Sequence, residues 1–317
     1  MSLTTAVASL AAVVSQSGDS QAAQLELLHD IEAQLRVAPS EEIKAAQADL
    51  EKHLTTALLQ GPAPPIRHLI SSCFCYAFGR GSRQGMYTTV GSFLSWMSNK
   101  ASPANSVSSK AAILMLLGDL SYAQGNNMVS LCHDTIALLI KSIRAPEALL
   151  RTAACNALAA ALGGSGGVGK PVQEEALKNI KAVVAERGAP VELRSACLVA
   201  CPPLVANSEQ LWASDLVEQV AALCTKHLDD PSPSVRQAAA ETLGASLVAC
   251  LAHPFVVPGQ APRGSKKAAP PAKRPSFGTT KMVCAPAGAC PAPSCPITWL
   301  LLTMHATRCS FSSCCTV

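Results

Sequence analysis

The chain has 317 residues, 49% of them apolar but only 4% aromatic, with Ala and Leu as the main apolar types. Small residues of high helix propensity, with few β-branched alternations, exclude a sheet-based fold and predict an all-α one. The formal charge of +4 hides two regions: all 21 Asp and Glu and 18 of the 25 Lys and Arg lie at or before Glu241, and the rest holds seven cations and no acid. A mildly acidic body argues against a nucleic-acid-binding groove.

The first residues, MSLTTAVASLAAVV, lack the basic stretch and cleavage site of a secretory leader. The fourteen cysteines are therefore expected as reduced thiols in the cytosol, not as a disulfide framework. Eight of them (Cys73, Cys75, Cys132, Cys155, Cys197, Cys201, Cys224 and Cys250) fall on apolar faces of predicted helices, where a thiol acts as a small hydrophobe. No apolar run reaches the roughly 18 residues that span a bilayer, so membrane contact is expected to be indirect.

Residues 3–17 and 19–37 predict two helices, with Asp19 or Ser20 as N-cap between them, and residues 1–40 are read as a capping segment. From 41 to 253 a repeat takes over. First helices are expected at 42–60, 86–99, 127–143, 172–187 and 209–228. Each leads through a turn to a second helix that opens on a cation: Arg67, Lys110, Arg151, Arg194 and Arg236, in steps of 43, 41, 43 and 42 residues.

Two positions after each cation stands Leu69, Ala112, Ala153, Ala196 or Ala238, and seven after stands Phe74, Leu117, Leu158, Cys201 or Leu243. A period of 40–47 residues with two helices per unit is the HEAT or armadillo range. One pair cannot bury its apolar stripe alone, whereas about five stacked pairs form an α-solenoid with a continuous core.

The pattern stops after residue 253. Residues 254–317 are rich in Pro, Lys and Cys and predict a disordered tail, with the abrupt change suggesting a truncated gene model. The basic stretch Arg263–Lys281 reads as solvated linker, and the terminal CCTV, though similar to prenylated double-cysteine ends, has no GTPase domain beside it.

The blocks GPAPPIRHLISSC (61–73), SSKAAILMLLGDL (108–120), LLIKSIRAPEALLRTAACNALAAALGG (138–164), LWASDLVEQVAALCTKHLDD (211–230) and PSVRQAAAETLGASL (233–247) carry a resemblance. In order and spacing they are similar to the N-terminal part of the HEAT-repeat-containing protein five family, which includes the large accessory protein of the trans-Golgi clathrin adaptor and the plant SWEETIE-like proteins. The resemblance implies a much longer cytosolic protein, peripheral to trans-Golgi and endosomal membranes, which binds clathrin-adaptor accessory proteins in endosome-to-Golgi transport and endocytosis. Scaffolds of nuclear transport and of phosphatase assembly share the general motif.

Chemical sites are few. Gly164 to Lys170 reads G-x-x-x-x-G-K, the spacing of a phosphate-cradling loop, and makes a nucleotide hydrolase the competing class. Pro171 stands where Ser or Thr would hold magnesium, and the loop joins two helices, so an inter-repeat turn is the preferred reading. Cys73 and Cys75, or Cys197 and Cys201, have no partner pair at zinc spacing, and His53, His68, His133 and His227 read as ordinary helix residues.

No metal, cofactor or catalytic set is expected. The five register cations have two readings. They line a groove and meet acidic peptides, or they pair with acids of neighbouring repeats, Asp229, Asp230 or Glu192, and order the turns; the second is preferred.

Overall fold

The computed structural model describes residues 3–15, 21–99, 106–165, 169–208 and 215–252. All belong to one compact unit, Met1–Lys267. Its helices are α1 Leu3–Ser15, α2 Gln21–Val37, α3 Ser40–Leu59, α4 Pro64–Arg80, α5 Arg83–Ser98, α6 Val107–Gln124, α7 Val129–Ser142, α8 Ala148–Gly164, α9 Lys170–Val184, α10 Val191–Val199, α11 Cys201–Ala206, α12 Leu216–His227 and α13 Pro233–Ala252. The predicted helices fall here within a few residues, except that α12 begins at Leu216. Residues 209–214, the cap at Asp19 or Ser20 and the tail from 254 lie outside the described residues.

Local chemistry sets the boundaries. Pro64 and Pro65 occupy the first turn of α4, where the missing N–H would have no helical partner. Ser106 caps α6 by accepting the Ser109 N–H at 3.0 Å. Gly61 turns the chain out of α3 with a φ of +68°, a conformation open to glycine, and packs against Ser108.

The helices form two layers. α1, α3, α5, α7 and α9 run side by side in one, and α2, α4, α6, α8, the α10–α11 pair and α13 in the other. Each helix thus touches its own partner and the neighbouring repeats, as a solenoid requires. The side-chain hydrogen bonds show the same thing. Ser72 to Glu32, Gln124 to Cys75 O, Tyr87 to Asn127 O and Asn207 to Leu162 O span 40, 49, 40 and 45 residues, one repeat each.

The core has two parts that meet at α6. Leu3 through Met128 pack into the first, centred on Phe74, Phe78 and Phe93 with ring centroids 5.5 and 6.3 Å apart. Ala111 through Cys250 form the second. Ala112, Ile113, Leu116, Leu117 and Leu120 of α6 point into one, while Ala111 and Leu114 point into the other. A helix buried on two sides has no polar face to spare, which is why SSKAAILMLLGDL carries one apolar residue after another.

α6 also packs closely on α8: a Cβ built on Gly118 would sit 2.6 Å from the Ala157 Cα. The fifth second-layer helix departs from expectation. It breaks at Ala200 into α10 and α11, because Pro202 and Pro203 cannot donate the N–H groups that would continue it.

Candidate functional site

The five cations stand near the N-terminal ends of α4, α6, α8, α10 and α13, beside the turns that join each pair. There the helix-ending carbonyls lack helical partners and offer acceptors. Arg151 Nε donates to the Ile143 carbonyl of its own turn at 3.1 Å, and its terminal nitrogens form a forked pair with Glu186, one repeat on. Hydrogen bonding to Arg151 holds the Glu186 carboxyl below the usual range, and the same bond raises the Arg151 pKa.

Arg194 Nη1 donates to Asp230 Oδ2, with side chains only 18% and 4% exposed. Burial by itself would raise the Asp230 carboxyl. The Ser232 N–H, donating at 2.9 Å to Oδ1, together with Arg194 and His227 outweighs that and holds it below its ordinary value. His227 Nδ1 lies 3.6 Å from Oδ2. Arg236 closes the same turn by donating to the Asp230 and Pro231 carbonyls at 2.8 and 3.1 Å.

Arg67 and Lys110 differ. Both are half-buried, and neither side chain has a hydrogen-bond or ion-pair partner among the described residues. Burial pulls the Arg67 pKa below the ordinary arginine value.

Of the expected acids, Asp230 is used, while Asp229 and Glu192 hold no ion pair with these cations among the described residues. Sequence reasoning missed Glu186, for which a signal existed: Arg151 to Glu186 spans 35 residues and Arg194 to Asp230 spans 36. Other inter-repeat ties were missed as well. Arg144 Nε, in the turn after α7, donates to Asn179 Oδ1 of α9, Lys181 Nζ of α9 donates to Gln219 Oε1 of α12, and Gln47 Nε2 donates to the Ser82 carbonyl at 2.9 Å.

The residues two after the cations are buried at Ala112, Ala153, Ala196 and Ala238 and half-buried at Leu69. Those seven after are buried at Phe74, Leu117, Leu158 and Cys201 and half-buried at Leu243.

The eight thiols are free; Cys75 and Cys132 are half-buried and the other six buried. Burial pushes Cys75 up to about 12 and Cys224 up to about 11. Cys155 and Cys197 lie with sulfurs 3.2 Å apart in the α8–α10 contact. Among the described residues no group of three or more His, Cys, Asp or Glu side chains is placed to hold a metal ion. His53, His68 and His133 lie on helices, as expected, and so does His227.

In the Gly164–Lys170 stretch, Gly164 ends α8 packed on Ser121 and Tyr122, Gly169 caps α9, and Lys170 Nζ stands 3.6 Å from Glu174. Residues 166–168 lie outside the described residues. A helix precedes the loop where a phosphate-binding loop requires a strand. A cleft of about 500 Å³ between α9 and α12 is lined by residues that include Lys170, Glu174, Lys178, Lys181 and Asp215.

A HEAT repeat is matched at residues 221–246, from within α12 into α13. Over 282 residues the chain is 28% identical to Protein SWEETIE of Arabidopsis thaliana, covering 88% of this chain and 12% of that protein's length. Among solved structures, a designed armadillo repeat protein is 15% identical over 77% of this chain and 99% of its own, with a TM-score of 0.43. Another, in complex with the peptide (KR)4, is 14% identical over 78% and 100%, with a TM-score of 0.45. The register of helix pairs, the matched repeat and the long sequence similarity agree: the chain is an α-solenoid that holds a HEAT repeat at 221–246 and is similar in sequence to a fraction, 12%, of the length of Protein SWEETIE.

Proposed function

We propose that the chain is a non-enzymatic protein-binding scaffold, working through partner segments laid along the second layer of helices. The observation that carries this reading is the continuous row formed by α2, α4, α6, α8, α10–α11 and α13. Helices of this row leave a stripe out of the core, as Thr152, Asn156 and Ala160 do on α8, so successive repeats present one long surface over which contacts can add up. The groups in it bind; they do not form a nucleophile–base–orienter set.

The pathway we assign is clathrin-adaptor-linked traffic from endosomes to the Golgi, with clathrin-adaptor accessory proteins as partners and a cytoplasmic position peripheral to trans-Golgi and endosomal membranes. Support comes from the resemblance of the sequence blocks to the adaptor-linked HEAT family. Membrane contact through partners fits the described helices, none of which is long and apolar enough to cross a bilayer.

Affinity purification of the tagged 317-residue chain from cells tests this. Enrichment of clathrin-adaptor accessory proteins is expected. Nuclear-transport or phosphatase subunits in their place, or no protein enriched over a tag control, would overturn it.

A further inference from the structure

The second-layer helices repeat their contacts in register. On α4, α6 and α8 the residue four after the register cation faces the following repeat. Ser71 donates to Asp119 of α6 at 2.6 Å, Leu114 points into the core part shared with α8, and Cys155 meets Cys197 of α10. In the last case the stack brings two thiols together. Their sulfurs stand 3.2 Å apart, although 42 residues separate them in the chain, and both side chains are fully buried.

Both ends of this contact are held. Arg151, one turn before Cys155, forks onto Glu186, and Arg194, one turn before Cys197, reaches Asp230. The helices that carry the thiols are thus fixed in place before any covalent bond forms. A disulfide needs its sulfurs at about 2.0 Å, so closing the pair takes roughly 1 Å of side-chain movement, within reach of small χ1 rotations. Cys201, one turn further on, is aimed elsewhere: its sulfur lies 3.6 Å from the Cys197 carbonyl oxygen.

We propose that Cys155 and Cys197 form a reversible disulfide between consecutive repeats, with a peroxide as the oxidant. One thiol, as thiolate, attacks a peroxide oxygen; the O–O bond breaks, a sulfenic acid forms and the first water leaves. The second thiol then attacks that sulfur. The S–S bond forms, the S–O bond breaks, and the hydroxyl departs as water with the second thiol's proton. The two sulfurs lose one electron each, and hydrogen peroxide is reduced to two molecules of water.

A peroxide suits the pair because it is small and uncharged and needs the least opening to enter an enclosed contact. The Arg151 guanidinium favours a Cys197 thiolate, but the contact with Cys155 and burial outweigh it, so the reaction is slow, on the order of minutes to hours. Once formed, the bond pins α10, only nine residues long before its break at Ala200, onto α8. Oxidation thereby locks the spacing of two repeats in the second-layer row.

The test treats the reduced full chain with hydrogen peroxide at neutral pH, blocks the remaining thiols with iodoacetamide under denaturant, and maps the unreduced peptides by mass spectrometry. A linked Cys155–Cys197 peptide is expected, lost on treatment with dithiothreitol. The thermal midpoint of the oxidised chain should stand about 5–10 °C above that of the reduced one, because the cross-link restricts the unfolded chain. Cys155→Ala should remove both the link and the rise, with Cys197→Ala in its place if circular dichroism shows the first to be unfolded. Cys201→Ala should keep both.

Sulfinic acid at Cys155 or Cys197 instead of the link, a link that forms only in urea, or cross-linking of these two to the cysteines beyond residue 253 overturns the proposal. So does an equal rise in the oxidised Cys155→Ala chain.

Discussion

Arg194 reaches across one repeat to Asp230, whose own backbone carbonyl is held from the other side by Arg236. One carboxylate thus ties the start of α10 to the turn before α13, and its second oxygen accepts the Ser232 N–H that shapes that turn. Replacing Asp230 with Ala strands a mostly buried guanidinium. A loss of about 2–4 kcal/mol is expected from urea unfolding, against about 1–2 for Arg194→Met, which leaves Asp230 its Ser232 bond. Glu186→Gln, at a more exposed pair, should shift the midpoint far less. Equal effects at the two sites would refute the hub role of Asp230.

The same carboxylate gives a signed pH dependence. Its folded pKa lies below its ordinary value, so its stabilisation is present above the unfolded carboxyl's titration near pH 4 and is lost as pH falls through the folded value. The midpoint difference between the parent chain and Asp230→Asn should be flat from about pH 7 to 5 and shrink below about pH 4. A difference that grows on acidification contradicts the assignment.

Close approach of α6 and α8 predicts opposite outcomes at two glycines. Gly118→Val drives a branched side chain into the Ala157 backbone and should cost about 2–3 kcal/mol. Gly244 on α13 has nothing within 4 Å of where a Cβ would stand, so Gly244→Ala should gain about 0.5–1 kcal/mol from helix propensity. Thermal unfolding of both variants is the check, and a tolerated Gly118→Val would mean the two helices slide apart freely.

Thiol burial predicts reactivity. Cys73, Cys155, Cys197 and Cys201 are fully enclosed; burial pushes the Cys73 and Cys201 thiols upward, and the contact with Cys155, with burial, does so at Cys197. Among the described thiols, iodoacetamide at neutral pH should label Cys132 before these four, which should react only on unfolding, as peptide mass mapping over time would show. Prompt labelling of Cys155 in the folded chain would indicate that the α8–α10 contact opens.

A magnesium-nucleotide titration should give no saturable signal, because α8 stands where a strand would have to feed the Gly164–Lys170 loop. Saturation abolished by Lys170→Ala would restore the hydrolase reading.

Much of this architecture was legible from the sequence because its causes are local. A helix start needs a Pro or a cap, an amphipathic stripe needs a 3.6-residue period, and a cation recurring every 41–43 residues marks the repeat. These signals lie within one turn or one pair. What answers each cation lies a repeat away, and there only the tertiary structure decided.

It chose Glu186 and Asp230 over Glu192 and Asp229, left Arg67 and Lys110 without partners among the described residues, pressed Gly118 onto Ala157, and broke the helix at Ala200. Propensity and periodicity say which face of a helix is buried. Which neighbour meets that face depends on how the pairs stack, and stacking is settled by packing and charge between residues some 35–50 positions apart.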